Sequence, residues 1–228
     1  LEHCIREELN ETALRRMAVT EPVKLVITNY PEDKCEEFDV PNNPRDEAAG
    51  MRKVPFTREL YIEKSDFAEV PPPKFQRLKP DGEVRLMGAY IVKCNEVVKD
   101  ENGEIVEIRC TADLETGNGM PADGRKVKGT IHWVSAAHAV DTDLYLYDNL
   151  FTLENVNDVP EGTDYLDYLN PDSLKKLTGC KLEPSLKDAK EGERFQFVRM
   201  GYYVKDREEG RFNRIVTLKD SFAKTLQK

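Results

Sequence analysis

The chain has 228 residues, 34% of them charged, and carries 34 Lys and Arg against 43 Asp and Glu for a net charge of -9; its mean hydropathy is -0.63. That length allows one large β domain or two smaller ones, and no stretch approaches the about 18 consecutive apolar residues of a membrane span. The acidic balance counts against nucleic-acid binding over the whole surface, while leaving open a single basic groove.

Five scattered cysteines (Cys4, Cys35, Cys94, Cys110 and Cys180) include no C-x-x-C pair. They predict reduced thiols in a cytoplasmic protein rather than a zinc site or a disulfide framework. With a helical pattern already running at Leu1 and no initiator Met, the sequence reads as a processed part of a longer chain.

Leu1, Ile5, Leu9 and Ala13 recur every four residues, which predicts a helix over 1–16, the end of a preceding helical domain. The helical period then disappears. Residues 21–27, EPVKLVI, alternate as a strand, and Pro71–Pro73 read as a rigid connector. Residues 89–113 form a hairpin about Asn102-Gly103. Residues 114–124, rich in Gly, Asn and Asp, mark a soft boundary. Positions 141–172 hold many acids and no Lys or Arg. Asn170, Pro171 and Gly179 bracket a predicted short helix over 171–178. A second hairpin is expected from 194–206 and 211–220, flanking Arg-Glu-Glu-Gly. No repeat is evident. Many short strands with turns between them indicate an all-β barrel or sandwich.

The run 125–139, RKVKGTIHWVSAAHA, holds the one tryptophan, Trp133, and two of the three histidines, His132 and His138. It admits a catalytic or metal site, or a strand. The strand reading puts Val127, Gly129, Ile131, Trp133 and Ser135 on one face and Lys126, Lys128, Thr130 and His132 on the other. His132 and His138 lack a third ligand pattern, and a Ser135/His138 pair lacks a glycine elbow and an orienting acid. Trp133 is therefore read as core.

PADGRKVKGTIHWVSAAHA resembles the C-terminal half of glutaminyl-tRNA synthetases. So do CIREELNE at 4–11, RRMAVTEPVKLVITNYP at 15–31, RKVPFTRELYIEKSDF at 52–67, EVRL at 83–86, NPDSL at 170–174, EPSLKDA at 183–189 and FNRIVTLKD at 212–220. The resemblance implies two consecutive β-barrels of the ribosomal-protein-like anticodon-binding type, with a short N-terminal helix and minor helices. The implied division is 1–16, then a first barrel over 17–120, then a second over 121–228 with a C-terminal tail, Trp133 lying in the second core. The family's catalytic signatures, His-Ile-Gly-His and Lys-Met-Ser-Lys-Ser, are absent, so this chain alone is not expected to activate an amino acid. ATP and glutamine would serve the parent's catalytic domain, and no cofactor or metal is expected here.

The implied partner is the anticodon loop of tRNA(Gln), bound by a monomer, with neither DNA nor membrane as partner. The matched contact positions are Asn10, Arg15, Arg45, Lys74, Gln76, Arg77, Arg85, Gln196 and Arg199. Lys74 and Gln76 exchange the family's order of Gln and Lys. Met87 stands where the family has a base, which predicts one lost phosphate or first-base contact. Gln196 and Arg199, three apart, would face one way only across a bulge. Lys126 and Lys128 are at most RNA-backbone contacts, and 141–172 should face away from RNA. The alternatives are a glutamyl-tRNA synthetase of the archaeal and eukaryotic type, a protein-interaction barrel, and a hydrolase using His132 or His138.

Overall fold

The computed structural model describes residues 1–208 and 210–218; the tail from 219 onward, with the end of the second predicted hairpin, lies outside them. One helix, α1 (Glu2–Thr12), precedes β1 (Leu14–Arg16), β2 (Ala18–Val19), β3 (Pro22–Ile27), β4 (Glu36–Pro41), β5 (Met51–Phe56), β6 (Glu59–Glu63), β7 (Glu83–Leu86), β8 (Ile91–Lys99) and β9 (Ile105–Asp113). There follow β10 (Thr130–Ile131), β11 (Val134–Ser135), β12 (Val140–Tyr147), β13 (Leu174–Leu182), β14 (Arg194–Phe197), β15 (Gly201–Lys205) and β16 (Arg211–Thr217). The predicted all-β class and the N-terminal helix are both present, but the helix expected over 1–16 ends at Thr12: Ala13 is already extended and Leu14–Arg16 pairs as β1. The helix buries Leu9, followed by Ala13, against Tyr202 and Val216, while Leu1 remains 98% exposed.

Two barrel-like sheets follow one plan. The first runs β10-β7-β8-β9-β3-β6-β11 and the second β1-β14-β15-β16-β12-β13-β2. In each, a three-strand meander meets a parallel partner (β3 on β9, β12 on β16), whose other edge carries an antiparallel strand. In each, one short bent segment supplies both edges: residues 130–135 in the first sheet and 14–19 in the second. The first half of that segment pairs parallel and the second half antiparallel. The chain therefore contains a structural repeat that its sequence does not announce.

Each closing segment precedes one repeat in the chain and closes the other. The soft boundary near 120 separates the repeats in chain order, yet both sheets draw a strand pair across it. Alternation along residues 17–19 lets Met17 and Val19 enter the first core while Ala18 enters the second. Burying a side chain such as Met17 or Val19 contributes about 1.5–3 kcal/mol, so this crossing segment ties the two units together.

The run 125–135 is not one straight strand. Only Thr130–Ile131 and Val134–Ser135 pair, to opposite edges of the sheet, and residues 131–135 are all buried. Trp133 is core, as expected, but of the first barrel: it is fully buried, stacks edge-on to Phe56 at 5.1 Å and donates Nε1–H to Met87 O at 2.9 Å. The second core is built on Phe195, Phe197, Tyr203 and Phe212, with Phe197 and Tyr203 stacked at 4.3 Å.

The helix predicted at 171–178 is instead a turn over 171–173 followed by the start of β13. Asn170 caps a turn, its Oδ1 accepting Asp172 N–H at 3.0 Å, and pairing with β12 then overrides local helix propensity. Gly179, at φ 72°, serves a bulge opposite Thr142–Leu144 rather than a helix end.

Buried charges seal the junction between the units. Glu183, 1% exposed, accepts from Arg52 Nε at 2.6 Å and NH2 at 2.9 Å, from Met17 N–H at 2.8 Å and from the Ser185 hydroxyl, with Arg16 Nε 3.5 Å away. Burial lowers the Arg16 pKa to about 10.

Candidate nucleic-acid interface

Two clefts and the acid between them hold most of the basic and amide groups singled out by sequence. The first cleft, about 360 Å³, lies between two equivalent hairpin turns, Leu86–Tyr90 and Phe197–Gly201. In each turn a backbone N–H closes onto a carbonyl three residues back at 2.9 Å (Ala89 to Leu86, Met200 to Phe197). In each the third residue is left-handed: Gly88 at φ 70° and Arg199 at φ 67°. Glycine takes that conformation freely, whereas a side chain there costs roughly 1–2 kcal/mol. Arg199 is held in spite of that cost by Asp66, a fully buried carboxylate whose two oxygens each accept from its guanidinium at 2.6 Å. The expected bulge between Gln196 and Arg199 is thus a tight turn, and the strand predicted over 194–206 folds back on itself at 198–200.

Arg15 and Gln196 are register partners on β1 and β14 and line this cleft together. Arg15 is 9% exposed and closes the C-terminal end of α1: NH1 donates to Ala13 O at 2.6 Å, and NH2 to Asn10 O at 2.7 Å and Asn10 Oδ1 at 3.1 Å. A cation there satisfies terminal carbonyls and complements the helix dipole. Burial lowers its pKa. Asn10 thus reaches the site through Arg15. Arg45 stands on the surface nearby, paired with Glu11 at 2.7 Å. Val40, Pro41, Pro44 and Val198 form apolar walls, and Met87 adds another apolar group where the resemblance led one to expect a base.

The second cleft, about 560 Å³, is lined by Gln76 and Arg77, opposite Lys126 and Lys128. Arg77 NH1 donates to Ser65 O at 2.9 Å and lies 3.2 Å from Asp66 Oδ1. Asp66 therefore holds Arg77 of one repeat, which lines the second cleft, and Arg199 of the other, which lines the first, and itself faces a smaller pocket of about 220 Å³ that both arginines also line. Lys74 is exposed at φ 63° on the same segment. Arg85 is turned elsewhere: its guanidinium donates to the carbonyls of Ala89 at 3.0 Å, Gly117 at 3.2 Å and Gly119 at 2.6 Å. It fixes the loop that brings Asn118 to the first cleft.

Asp66, Asn118 and Lys93 were not singled out by sequence, whereas Lys79 belongs to the basic stretch 74–86 and Lys126 and Lys128 were expected at most as RNA-backbone contacts. Asp66 meets partners 11 and 133 residues away, so no local pattern marks it. A signal for Lys126 and Lys128 does exist in Gly129. At φ 94°, its absent Cβ would fall 1.9 Å from Gln76 O, so only glycine lets the two segments touch.

The histidines do not converge. His132 is 2% exposed, with Nδ1 3.4 Å from Arg199 and Nε2 3.9 Å from Glu63. His138 Nδ1 lies 3.0 Å from Ser135 Oγ, but that hydroxyl is buried and shared with Thr57 Oγ1 at 2.8 Å rather than presented to a cleft. Burial pushes Glu63 up, but His132 and the backbone N–H groups of Thr20 and Glu21 outweigh it and hold the carboxyl below its ordinary value. None of residues 141–172 lines either cleft. Among the described residues no helix is long and apolar enough to cross a membrane.

Residues 13–113 and 130–206 each match a family described as tRNA synthetases class I (E and Q), anti-codon binding domain. The chain is 52% identical over 98% of its length to a glutamine–tRNA ligase of Xanthomonas campestris pv. campestris, covering 39% of that protein. It is 54% identical over 97% of its length to one of Clostridium perfringens, covering 41%, and 52% identical over 98% to one of Rhodopirellula baltica, covering 38%. The chain thus spans about two fifths of these relatives. With both halves matching that family and paired barrels to fit it, the chain belongs to the anticodon-binding domains of class I tRNA synthetases of the glutamate and glutamine type.

Proposed function

We propose that the chain reads the anticodon loop of tRNA(Gln) for a parent glutamine–tRNA ligase, a monomeric cytoplasmic enzyme that uses ATP and glutamine in a catalytic region outside this chain. The observation that supports this most is the convergence of Arg15, Gln196 and Arg199 on one cleft, with Arg77 joined to Arg199 through Asp66. Single-stranded loops are read by splaying bases into such clefts, where planar and apolar groups stack and polar groups meet base edges. The walls of Val40, Pro41, Pro44 and Val198 suit a base face. The Gln196 amide both donates and accepts, as a uracil edge requires, and a guanidinium can donate twice to guanine O6 and N7.

Three of the five Arg15 N–H groups are committed to α1, which fixes the plane of those that remain. The site is thereby preorganised, so that little side-chain entropy is lost on binding. Asn10 and Arg85 act through what they hold, Arg45 and Lys74 at the rim. The reading is tested with glutamine and glutamate tRNA anticodon loops on the native chain and on Arg15→Ala and Arg77→Ala. Preference for the glutamine loop, lost in both variants, is expected; equal binding of the two loops by the native chain would count against it. Homologues named glutamine–tRNA ligase favour this over the glutamate enzyme.

A further inference from the structure

The second cleft carries more positive charge than base reading requires. Besides Arg77 it is lined by Lys79, Lys93, Lys126 and Lys128, all exposed. Elsewhere Lys24, Lys53, Lys64, Lys99 and Lys176 each sit within 3.1 Å of a carboxylate, and the other described lysines without such a partner, Lys74, Lys175, Lys187, Lys190 and Lys205, do not line this cleft. Among the described residues, none of the four cleft lysines has an acid within 4.0 Å. Of the two acids lining the cleft, Glu83 is already paired with Arg125 at 3.1 Å, which leaves Asp81 as one carboxylate against four lysines.

The arrangement is built rather than incidental. Residues 125–129 form a strap fixed at both ends. Arg125 is clamped by Glu83, Asp113 and Asp123 at 3.1, 2.7 and 2.9 Å. Gly129 lies against Gln76 O, and its carbonyl accepts Arg85 N–H at 3.2 Å. Between these anchors Lys126 and Lys128 face the segment that carries Gln76, Arg77 and Lys79. The net charge of -9 is concentrated elsewhere: residues 141–172 hold nine acids and no base, so the remaining 34 acids and 34 bases balance.

We propose that Lys79, Lys93, Lys126 and Lys128 form a phosphodiester-binding track, a sequence-independent site for the RNA backbone beside the base-reading cleft. The proposal rests on the anticodon reading and extends it. Phosphate contacts set register and orientation without carrying sequence information, so the track would hold the loop in place while Arg15, Gln196 and Arg199 discriminate.

The test compares the 228-residue chain with its Lys79→Gln/Lys93→Gln/Lys126→Gln/Lys128→Gln variant. The probes are an anticodon stem-loop RNA of glutamine tRNA and the same RNA with its middle anticodon base changed. The variant should bind both RNAs on the order of tenfold or more weakly at low salt. Its slope of log affinity against log salt should become shallower by about 0.7 per lost contact, with the ratio between the two RNAs and the melting temperature unchanged. An unchanged slope with the ratio intact overturns the track and leaves the anticodon reading standing. If the native chain fails to distinguish the RNAs while the variant's slope still falls, the track stands and the anticodon reading fails. Inorganic phosphate, added at constant ionic strength, should not displace the RNA at millimolar levels; displacement would make the site one for free phosphate and overturn the proposal.

Discussion

Glu183→Ala tests how the two repeats are held together. The wild-type carboxylate is buried, with Arg52 on two of its contacts, Arg16 beside it, and the Met17 N–H from the closing segment. Arg52 is 8% exposed and Arg16 8%. Neither guanidinium can turn to water without opening the junction, so the variant buries two uncompensated cations side by side. Removing one partner of a buried ion pair costs about 3–5 kcal/mol. At about 2–4 °C per kcal/mol for a chain of this size, the melting temperature should fall by roughly 6–20 °C. Thermal and urea unfolding measure this directly. In a double-mutant cycle with Arg52→Ala, the pair should cost less than the sum of the singles by about 1 kcal/mol or more, since residues in contact couple. A loss below about 1 kcal/mol, or strict additivity, would instead make the junction a solvated contact.

Further expectations concern single residues. At position 199 the left-handed backbone should make Arg199→Gly more stable than Arg199→Ala by about 1 kcal/mol; chemical denaturation resolves that difference, and the opposite order would remove the claim of strain at this turn. Asp66→Asn should weaken discrimination at more than one anticodon position, because Arg77 and Arg199 share that carboxylate; loss at one position alone would show that the two arginines act independently. Gly129→Ala should displace the strap, both through its φ of 94° and through the clash with Gln76 O, and so lower RNA affinity along with melting temperature. The folded carboxyl of Glu63 lies below its ordinary value, so it adds stability above the unfolded pKa of about 4.3 that is lost as pH falls through the folded value. Glu63→Gln should flatten the acid limb of the stability curve below about pH 5; an unaltered limb would assign acid unfolding to other groups.

The all-β class, the N-terminal helix and the Asn102-Gly103 hairpin were legible because each rests on a local period or turn signal. The resemblance supplied the site residues, and Arg15, Gln196 and Arg199 do meet in one cleft. What the sequence hid is tertiary. The repeat is invisible because equivalent positions, such as Gly88 and Arg199, share backbone conformation rather than residue type. The exchange of closing segments is invisible because 131–135 is buried on both faces, which erases the alternation of a half-buried strand. Trp133 was therefore assigned to the barrel that follows it in the chain instead of the one it closes. Leu174–Leu182 misled because Asn-Pro and Gly serve an Asx turn and a bulge as readily as helix ends. Arg85 shows the limit of transferring a contact by alignment, since its guanidinium here spans three loop carbonyls.

The proposed function requires that this chain distinguish anticodons by their bases. The most direct measurement is the equilibrium affinity of the native chain for glutamine anticodon stem-loops differing only at the middle base, at a fixed moderate salt concentration. A well-placed base contact gives about 1–3 kcal/mol of discrimination, so the cognate loop should bind about 5- to 150-fold more tightly. Equal affinities for the two loops would contradict the account.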